Sequence, residues 1–457
     1  MSCGAGAPRD RIASLVDDGV TRPVGTWSDA SRGSPHLARW NIAPLDDDGV
    51  VIAAGAIDGA PVLVAAQDGR FLGGSVGAGH AAALHTLFLH ACEVRPAAVV
   101  LLCVSGGVRL HEANPAEAGL ARALAALLRV RAAEIPVVAL AVGDVFGGAS
   151  VLACAADRIG MLPHARLGLS GPKVIATARG NAEIDPGNPA LVDALFGAQA
   201  RLARGQVDVV VDERSAVRGW LRVSCAARRP FVEAVQTTHA ALADALVGTP
   251  VAAQDSLWQL PPAWSNSVEA VAPAAGVRRL RGRPVWIAGA PGEHALGPRR
   301  IHALDTALLG TVLPAAAPVG GTLVLVEDSP GHEVSRAAEG VGISRFLAHH
   351  AAVLARLKQG GIRVGALLAG QGNGAAFFPN ALQADRLHAL QSARVMAMNP
   401  QAVARVTGLD AGALAACIDH DPVLGQPIEA FANWGAVAAI VREVDLAALD
   451  ALVDALA

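Results

Sequence analysis

Two glycine pairs stand where chemistry without a dedicated side-chain catalyst is possible. Ser105-Gly106-Gly107 ends the apolar run Val99-Val100-Leu101-Leu102-Cys103-Val104, and Phe146-Gly147-Gly148-Ala149 follows the run from Pro136 to Val142. A glycine at the end of a buried strand lets a ligand approach the backbone, because no Cβ stands in the way. Two such turns, each opening a helix, can aim a pair of N–H groups and a helix dipole at one oxygen. That is an oxyanion hole, where one donor contributes about 2.7–4 kcal/mol of transition-state stabilisation. Gly106, Gly107, Gly147 and Gly148 serve close helix–sheet packing equally well, and the glycines alone leave both uses open.

The same order of features returns about 225 residues later. Leu323-Val324-Leu325-Val326 runs into Asp328-Ser329-Pro330-Gly331, and Ile362 to Leu368 runs into Asn373-Gly374-Ala375-Ala376. His111-Glu112 and His332-Glu333 each follow a glycine turn and can border a pocket, but isolated dyads identify no acid or base.

Competing motifs fail on their surroundings. Gly77-Ala78-Gly79-His80-Ala81-Ala82 and Gly370-Gln371-Gly372-Asn373-Gly374-Ala375 fit G-x-G-x-x-A. Neither has the acid about 20 residues on that would hold a ribose. Ser170-Gly171-Pro172-Lys173 fits S-x-x-K, yet Pro172 opposes the turn that would stack Lys173 on Ser170, so a loop is expected. His80, His85 and His90 do not share a helix face, and H-E-x-x-H and C-x-x-C are absent, so no metal is expected. Cys3, Cys92, Cys103, Cys154, Cys225 and Cys417 are scattered and read as buried thiols.

The elements that must hold the turns alternate between strand and helix. Asn114-Pro115-Ala116-Glu117 offers an N-cap, a first-turn proline and an acid, and Leu120, Leu124, Leu127 and Leu128 follow at helical spacing. Phe346, His350, Val353, Leu354 and Leu357 repeat the stripe before Gly360-Gly361. Each copy then has a second strand, its glycine turn, an Ala-rich helix, and Ala156-Asp157-Arg158-Ile159 or Ala384-Asp385-Arg386-Leu387. Strand–helix alternation implies right-handed crossovers and parallel sheets. The expected fold is α/β, with two tandem domains at 1–248 and 284–457 related by internal duplication. A linker is expected at 249–283, through Leu260-Pro261-Pro262 and the arginines from Arg278 to Arg283.

Composition narrows the partners. The 457 residues carry 37 Lys+Arg against 40 Asp+Glu, a formal net charge of -3, with no long basic run, which argues against a phosphate-tracking nucleic-acid surface. Hydrophobic residues are 53% and aromatics 4%, with no Tyr, so the core is built from small side chains. Apolar runs stop short of the roughly 18–20 residues that span a membrane. No apolar signal core is seen near Met1 to Asp10, so a cytoplasmic location without membrane contact is expected.

These residues also carry a resemblance. Gly69 to Gly77, Ser105 to Ala113, Gly147-Gly148-Ala149 and Gly168 to Ile175 resemble the carboxyltransferase branch of the crotonase-like superfamily, in particular the β subunit of biotin-independent malonate decarboxylase. Glu327-Asp328-Ser329-Pro330-Gly331-His332 and Leu382 to Leu387 resemble the γ subunit of that enzyme, so the chain looks like a β–γ fusion over 10–225 and 284–442.

The resemblance implies tandem crotonase-like ββα-superhelix domains. It also implies decarboxylation of a malonyl thioester, held on the phosphopantetheine-type arm of an acyl carrier protein, to an acetyl thioester and CO₂. Amides at Gly106 or Gly107 and at Gly147 or Gly148 would hold the thioester oxyanion. Amides near Gly331, Gly374 and Ala375 would position the carboxylate across the domain interface. Gly73, Gly74, Arg109, Ser170 and Gly171 would contact substrate, with His111, Glu112 and His332 as candidates for protonating the enolate.

The implied partners are the carrier protein, an acyl-transferase (α) subunit and a CoA-like ligand, in a hetero-oligomer. The chain itself would bind no cofactor. Departures exist: the family's γ subunits tend to show Gly-Lys-x-x-Ser-Gly-Ala where this chain has Gly370 to Ala375, and its only lysines are Lys173 and Lys358. Two alternatives stand beside this reading, a biotin-dependent carboxyltransferase or decarboxylase component and a non-catalytic scaffold that binds the carrier protein.

Overall fold

The computed structural model describes residues 6–22, 24, 33–212, 214–249, 262–289, 295–408 and 410–456. Cys3 and the Leu260-Pro261 portion of the expected linker lie outside these residues. Contacts divide the chain into two compact units. The first comprises Met1–Arg109, Arg122–Ala234 and Val334–Ala348, and the second Leu110–Ala121, Val235–Glu333 and His349–Ala457.

This division differs from the expected cut at 1–248 and 284–457, because each unit includes a short segment from the other half of the sequence. The expected linker also differs. Its described part forms two strands of the second unit's sheet, and Val268, Val277 and Leu280 are buried there, as apolar side chains favour.

The first unit is built on a six-stranded sheet of β1 (Val50–Ile57), β2 (Ala60–Gln67), β3 (Ala98–Ser105), β4 (Val137–Val145), β5 (Arg158–Met161) and β6 (Val209–Val210), in that spatial order. β1 and β2 form an antiparallel hairpin and the remaining neighbours are parallel. β3 and β4 are buried over most of their length, which explains their continuous apolar runs.

The second unit contains β7 (Val268–Ala272), β8 (Val277–Leu280), β9 (Val285–Gly289), β10 (Gly321–Ser329), β11 (Ile362–Asn373), β12 (Arg386–Leu390), β13 (Arg394–Met396) and β14 (Ala439–Val441). Their order is β14-β12-β11-β10-β9-β8-β7, with β13 beside the end of β11. β7, β8 and β9 pair antiparallel and the others parallel.

The duplication extends to single atoms. The Asp157 carboxylate accepts from the Val137 N–H at 2.9 Å and from Arg131 at 2.8 Å. In the second unit Asp385 accepts from the Val364 N–H at 3.0 Å and pairs with Lys358 at 2.7 Å. Each aspartate ties the start of one central strand to the start of the next, which is why Ala-Asp-Arg recurs.

Two local expectations change. Asn114 does not cap a helix: the helix runs Ala113–Ala132, and the Asn114 amide donates to the Gly425 carbonyl at 2.8 Å. The Ala-rich helix expected after Asn373 is only Gly374–Phe377, because Pro379 cannot supply the N–H that would continue it.

Candidate functional site

In the first unit the turns after β3 and β4 meet backbone to backbone. Gly107 has φ +105° and Gly147 φ +59°, conformations in which side chains are strained. A Cβ on Gly107 would lie 3.1 Å from the Gly147 Cα. Both glycines are therefore required by packing.

The four expected amides are not equivalent. The Gly106 N–H donates to the Gly73 carbonyl at 2.8 Å, and the Gly147 N–H to the Leu169 carbonyl at 2.9 Å. The Gly107 N–H faces the Ser105 hydroxyl at a long 3.2 Å. The Gly148 N–H, at the first position of the helix Gly148–Cys154, has no acceptor among the described residues. That helix has seven residues, so its contribution at this end rests on individual amides more than on a long dipole.

Gly73 and Gly74 clasp the first turn. Gly74 has no room for a Cβ, which would stand 2.1 Å from the Val104 carbonyl oxygen, whereas a Cβ on Gly73 would enter open space. The clasp is completed by the Val76 N–H donating to the Gly107 carbonyl at 2.8 Å. Ser170 and Gly171 precede the helix Pro172–Arg179. Pro172 starts that helix instead of opposing it, since a first-turn proline has no N–H to satisfy, and Ser170 lies outside it.

Arg109, expected to contact substrate, is instead held within the first unit. It is 1% exposed, its guanidinium pairs with Asp48 at 2.5 Å, and it donates to the Ser75 carbonyl at 3.0 Å. The second Asp48 oxygen accepts from the His80 N–H at 2.7 Å, at the start of the helix Ala78–Val94. A carboxylate thus occupies the helix start where the first G-x-G-x-x-A motif would have placed a phosphate.

The second unit repeats the turn. The Gly331 N–H faces the Ser329 hydroxyl at 3.1 Å, as Gly107 faces Ser105, and the Leu296 N–H donates to the Gly331 carbonyl at 2.8 Å, as Val76 does to Gly107. Gly331 has φ +125° and Gly374 φ +52°, matching Gly107 and Gly147, and Ala375 stands where the first unit has Gly148. Pro330 replaces Gly106, so the clasp through that amide is missing. His332 follows the turn, and burial pushes its imidazole down to about 4, so near neutral pH the ring is neutral and carries a single N–H. His111 and Glu112 lie in the short turn Leu110–Glu112, buried in the second unit.

Two features carried no sequence signal. In the first unit, Glu339 (1% exposed) pairs with Arg201 (2%) at 3.3 Å. In the second unit a buried chain runs from Asp305 to His350 (2.6 Å), from His350 to the Asn380 carbonyl oxygen (2.9 Å), and from the Asn380 amide to Glu327. Burial depresses the His350 imidazole, but the Asp305 carboxylate and the hydrogen bonds to Asp305 and Asn380 outweigh it and leave its pKa raised. Burial pushes Glu327 up to about 8 against the Asn380 hydrogen bond. Among the described residues no group of three or more His, Cys, Asp or Glu can hold a metal, and no helix is long and apolar enough to cross a membrane.

Comparison with known proteins places these turns in a family. A profile described as a carboxyl transferase domain matches residues 2–194, and one described as the malonate decarboxylase gamma subunit matches residues 299–457. The chain is 32% identical over 247 residues to the malonyl-S-ACP:biotin-protein carboxyltransferase of Malonomonas rubra, covering 50% of this chain and 76% of that protein. It is 27% identical over 468 residues to the acetyl-coenzyme A carboxylase carboxyl transferase subunits beta/alpha of Salinispora tropica, covering 90% and 79%. A chain of the Pseudomonas malonate decarboxylase hetero-tetramer, crystallised in complex with malonate, is similar at 32% identity and TM-score 0.47, over 56% of this chain and 94% of that one. The carboxyl transferase match followed by the γ match reproduces the β–γ order of the resemblance, and the chain belongs to the carboxyltransferase family of the malonate decarboxylases.

Proposed function

We propose that the chain decarboxylates a malonyl thioester to the acetyl thioester and CO₂. The bond from the methylene carbon to the carboxylate breaks, its electron pair becomes the thioester enolate, and a proton then adds at carbon. The reaction needs a sink for that pair, and amides that hold the enolate oxygen supply one. We assign the Gly148 and Gly107 N–H groups to this role. The observation that carries the assignment is the contrast between Gly147, whose N–H is used by Leu169, and Gly148, whose N–H has no acceptor among the described residues.

The second unit's amides at Gly331, Gly374 and Ala375 are proposed to take the carboxylate. Gly73, which leaves open space above its Cα, and the Ser170-Gly171 turn are proposed to line the thioester arm. Protonation at carbon is the role proposed for His111 or Glu112. The arm is proposed to be of phosphopantetheine type, on an acyl carrier protein or a CoA-like ligand, loaded by an acyl-transferase subunit of the same hetero-oligomer. No metal or cofactor bound by this chain is required.

The test is release of labelled CO₂ from malonyl-loaded carrier protein or malonyl-CoA in biotin-free buffer containing avidin. Release supports direct decarboxylation. The name of the Malonomonas relative favours a second reading, in which the carboxyl group moves to biotin carried on another protein. Turnover only with added biotinyl protein, abolished by avidin, would replace the first reading with the second.

A further inference from the structure

The turn that presents Gly148 is gripped by a segment far along the chain. In the first unit the Ser150 hydroxyl donates to the Gly147 carbonyl at 2.7 Å. A carbonyl only accepts, so this bond uses the one proton of Ser150. The Ser344 hydroxyl lies 2.7 Å from that of Ser150, 194 positions away in sequence, and must therefore be the donor between them. Both serines are buried. The Gly147 carbonyl and the Gly148 N–H belong to one planar trans peptide, so holding the oxygen sets the direction of the N–H.

The other side of the turn is held from the same segment. The Gly147 N–H donates to the Leu169 carbonyl at 2.9 Å, while the N–H groups of Leu169 and Ser170 donate to one Glu339 oxygen at 3.0 and 2.5 Å. The other Glu339 oxygen faces Arg201 at 3.3 Å, and Arg201 also donates to the Glu339 carbonyl at 2.8 Å. A Cβ on Gly168 would stand 2.6 Å from the Phe196 ring and 3.0 Å from Glu339, so the loop is seated on this carboxylate without slack. Ser344 and Glu339 both lie in Val334–Ala348, the part of the second half of the sequence that belongs to the first unit.

We infer that Ser344 and Glu339 are positioning residues for the Gly148 N–H, so that residues from the second half of the sequence tune the oxyanion turn of the first. The inference rests on the proposed role of Gly148 as a donor to the enolate oxygen. Its signature is a loss in turnover without a loss in substrate binding, because a tilted N–H weakens contact with the charge that develops during reaction more than contact with the ground state.

The test uses the full chain with malonyl-CoA and compares Ser344→Ala, Ser150→Ala, the double variant, Glu339→Gln and Gly148→Pro. Ser344→Ala should lower kcat by about tenfold with KM unchanged. The double variant should lose no more than Ser150→Ala alone, because the two hydroxyls act through one bond. Hydrogen exchange at the Gly147 amide should accelerate in Glu339→Gln, and Ser344→Ala, which leaves no charge unpaired, serves if Glu339→Gln does not fold. Unchanged kcat in Ser344→Ala, or a rise in KM with kcat intact, overturns the positioning role. Full turnover in Gly148→Pro sinks the oxyanion assignment itself, whereas loss there with an unaffected Ser344→Ala rejects only the positioning role.

Discussion

A Cβ placed on Gly147 would stand 2.8 Å from the Cα of Gly107. The ends of β3 and β4 therefore touch backbone to backbone, a contact only a pair of glycines permits. Gly147→Ala should both strain φ +59°, at a cost on the order of 1–3 kcal/mol, and push the turns apart. We expect a lower unfolding midpoint and turnover reduced by more than about tenfold. Chemical denaturation alongside CO₂ release checks this, and wild-type values for both would show that the contact is dispensable.

Gly148→Pro separates the amide from the packing. A proline is tolerated at the first position of a helix and removes the N–H, which here has no acceptor among the described residues, while its ring adds volume at a buried position, so Gly148→Ala, which keeps the N–H, is measured beside it. kcat should fall by about 10²–10³ in Gly148→Pro, the usual cost of losing one oxyanion donor, and by much less in Gly148→Ala, with chemical denaturation of both showing how much of the loss is packing.

Arg109 should behave as a structural residue. Removing one partner of a buried ion pair typically costs about 3–5 kcal/mol, so Arg109→Ala should destabilise the first unit by taking the guanidinium from the buried Asp48 carboxylate. A stable Arg109→Ala protein with a raised KM would instead restore a substrate-binding role.

Stability should fall as pH rises from about 6.5 toward 8 and again under strong acid. Burial raises Glu117 and Glu327 to about 8, so between the ordinary carboxylate range and pH 8 the folded state binds more protons than the unfolded one. Stability then decreases as pH rises through that window, with a slope of up to about 1.4 kcal/mol per pH unit for each group. Burial lowers His349 to about 4 and His80 to about 3, with the Arg109 charge adding to the shift at His80. These rings stay neutral when folded but charge in the unfolded chain below about pH 6.5, so they offset the carboxyl slope there and leave a net fall only once acidification passes the ordinary carboxylate range. Glu117→Gln should flatten the decline above about pH 6.5 and, by removing an opposing slope, steepen the fall in stability between about pH 6.5 and the carboxylate range in a denaturation profile.

Much of this protein was legible from sequence because the signals are local. The runs at Val99–Val104 and Leu323–Val326 are apolar on both faces because those strands are buried on both faces. The glycines at 107, 147, 331 and 374 stand at positive φ, and Asp157 and Asp385 recur because each accepts an N–H near the start of a neighbouring strand.

Other properties depend on partners that no local pattern names. Gly106, Gly147 and Gly148 look alike in sequence, yet Gly73 and Leu169 take the first two amides and the third has no acceptor among the described residues. Arg109 looked available until Asp48, 61 positions away, neutralised it in the core. Residues 334–348 join the first unit through Glu339, whose acceptors and charge are matched by Arg201, Leu169 and Ser170, all distant in the chain. A hydrogen bond or buried ion pair is set by which groups the folded chain brings within about 3 Å. Residue type and spacing therefore determined where the turns lie, and tertiary contacts decided which of their amides find an acceptor within the fold.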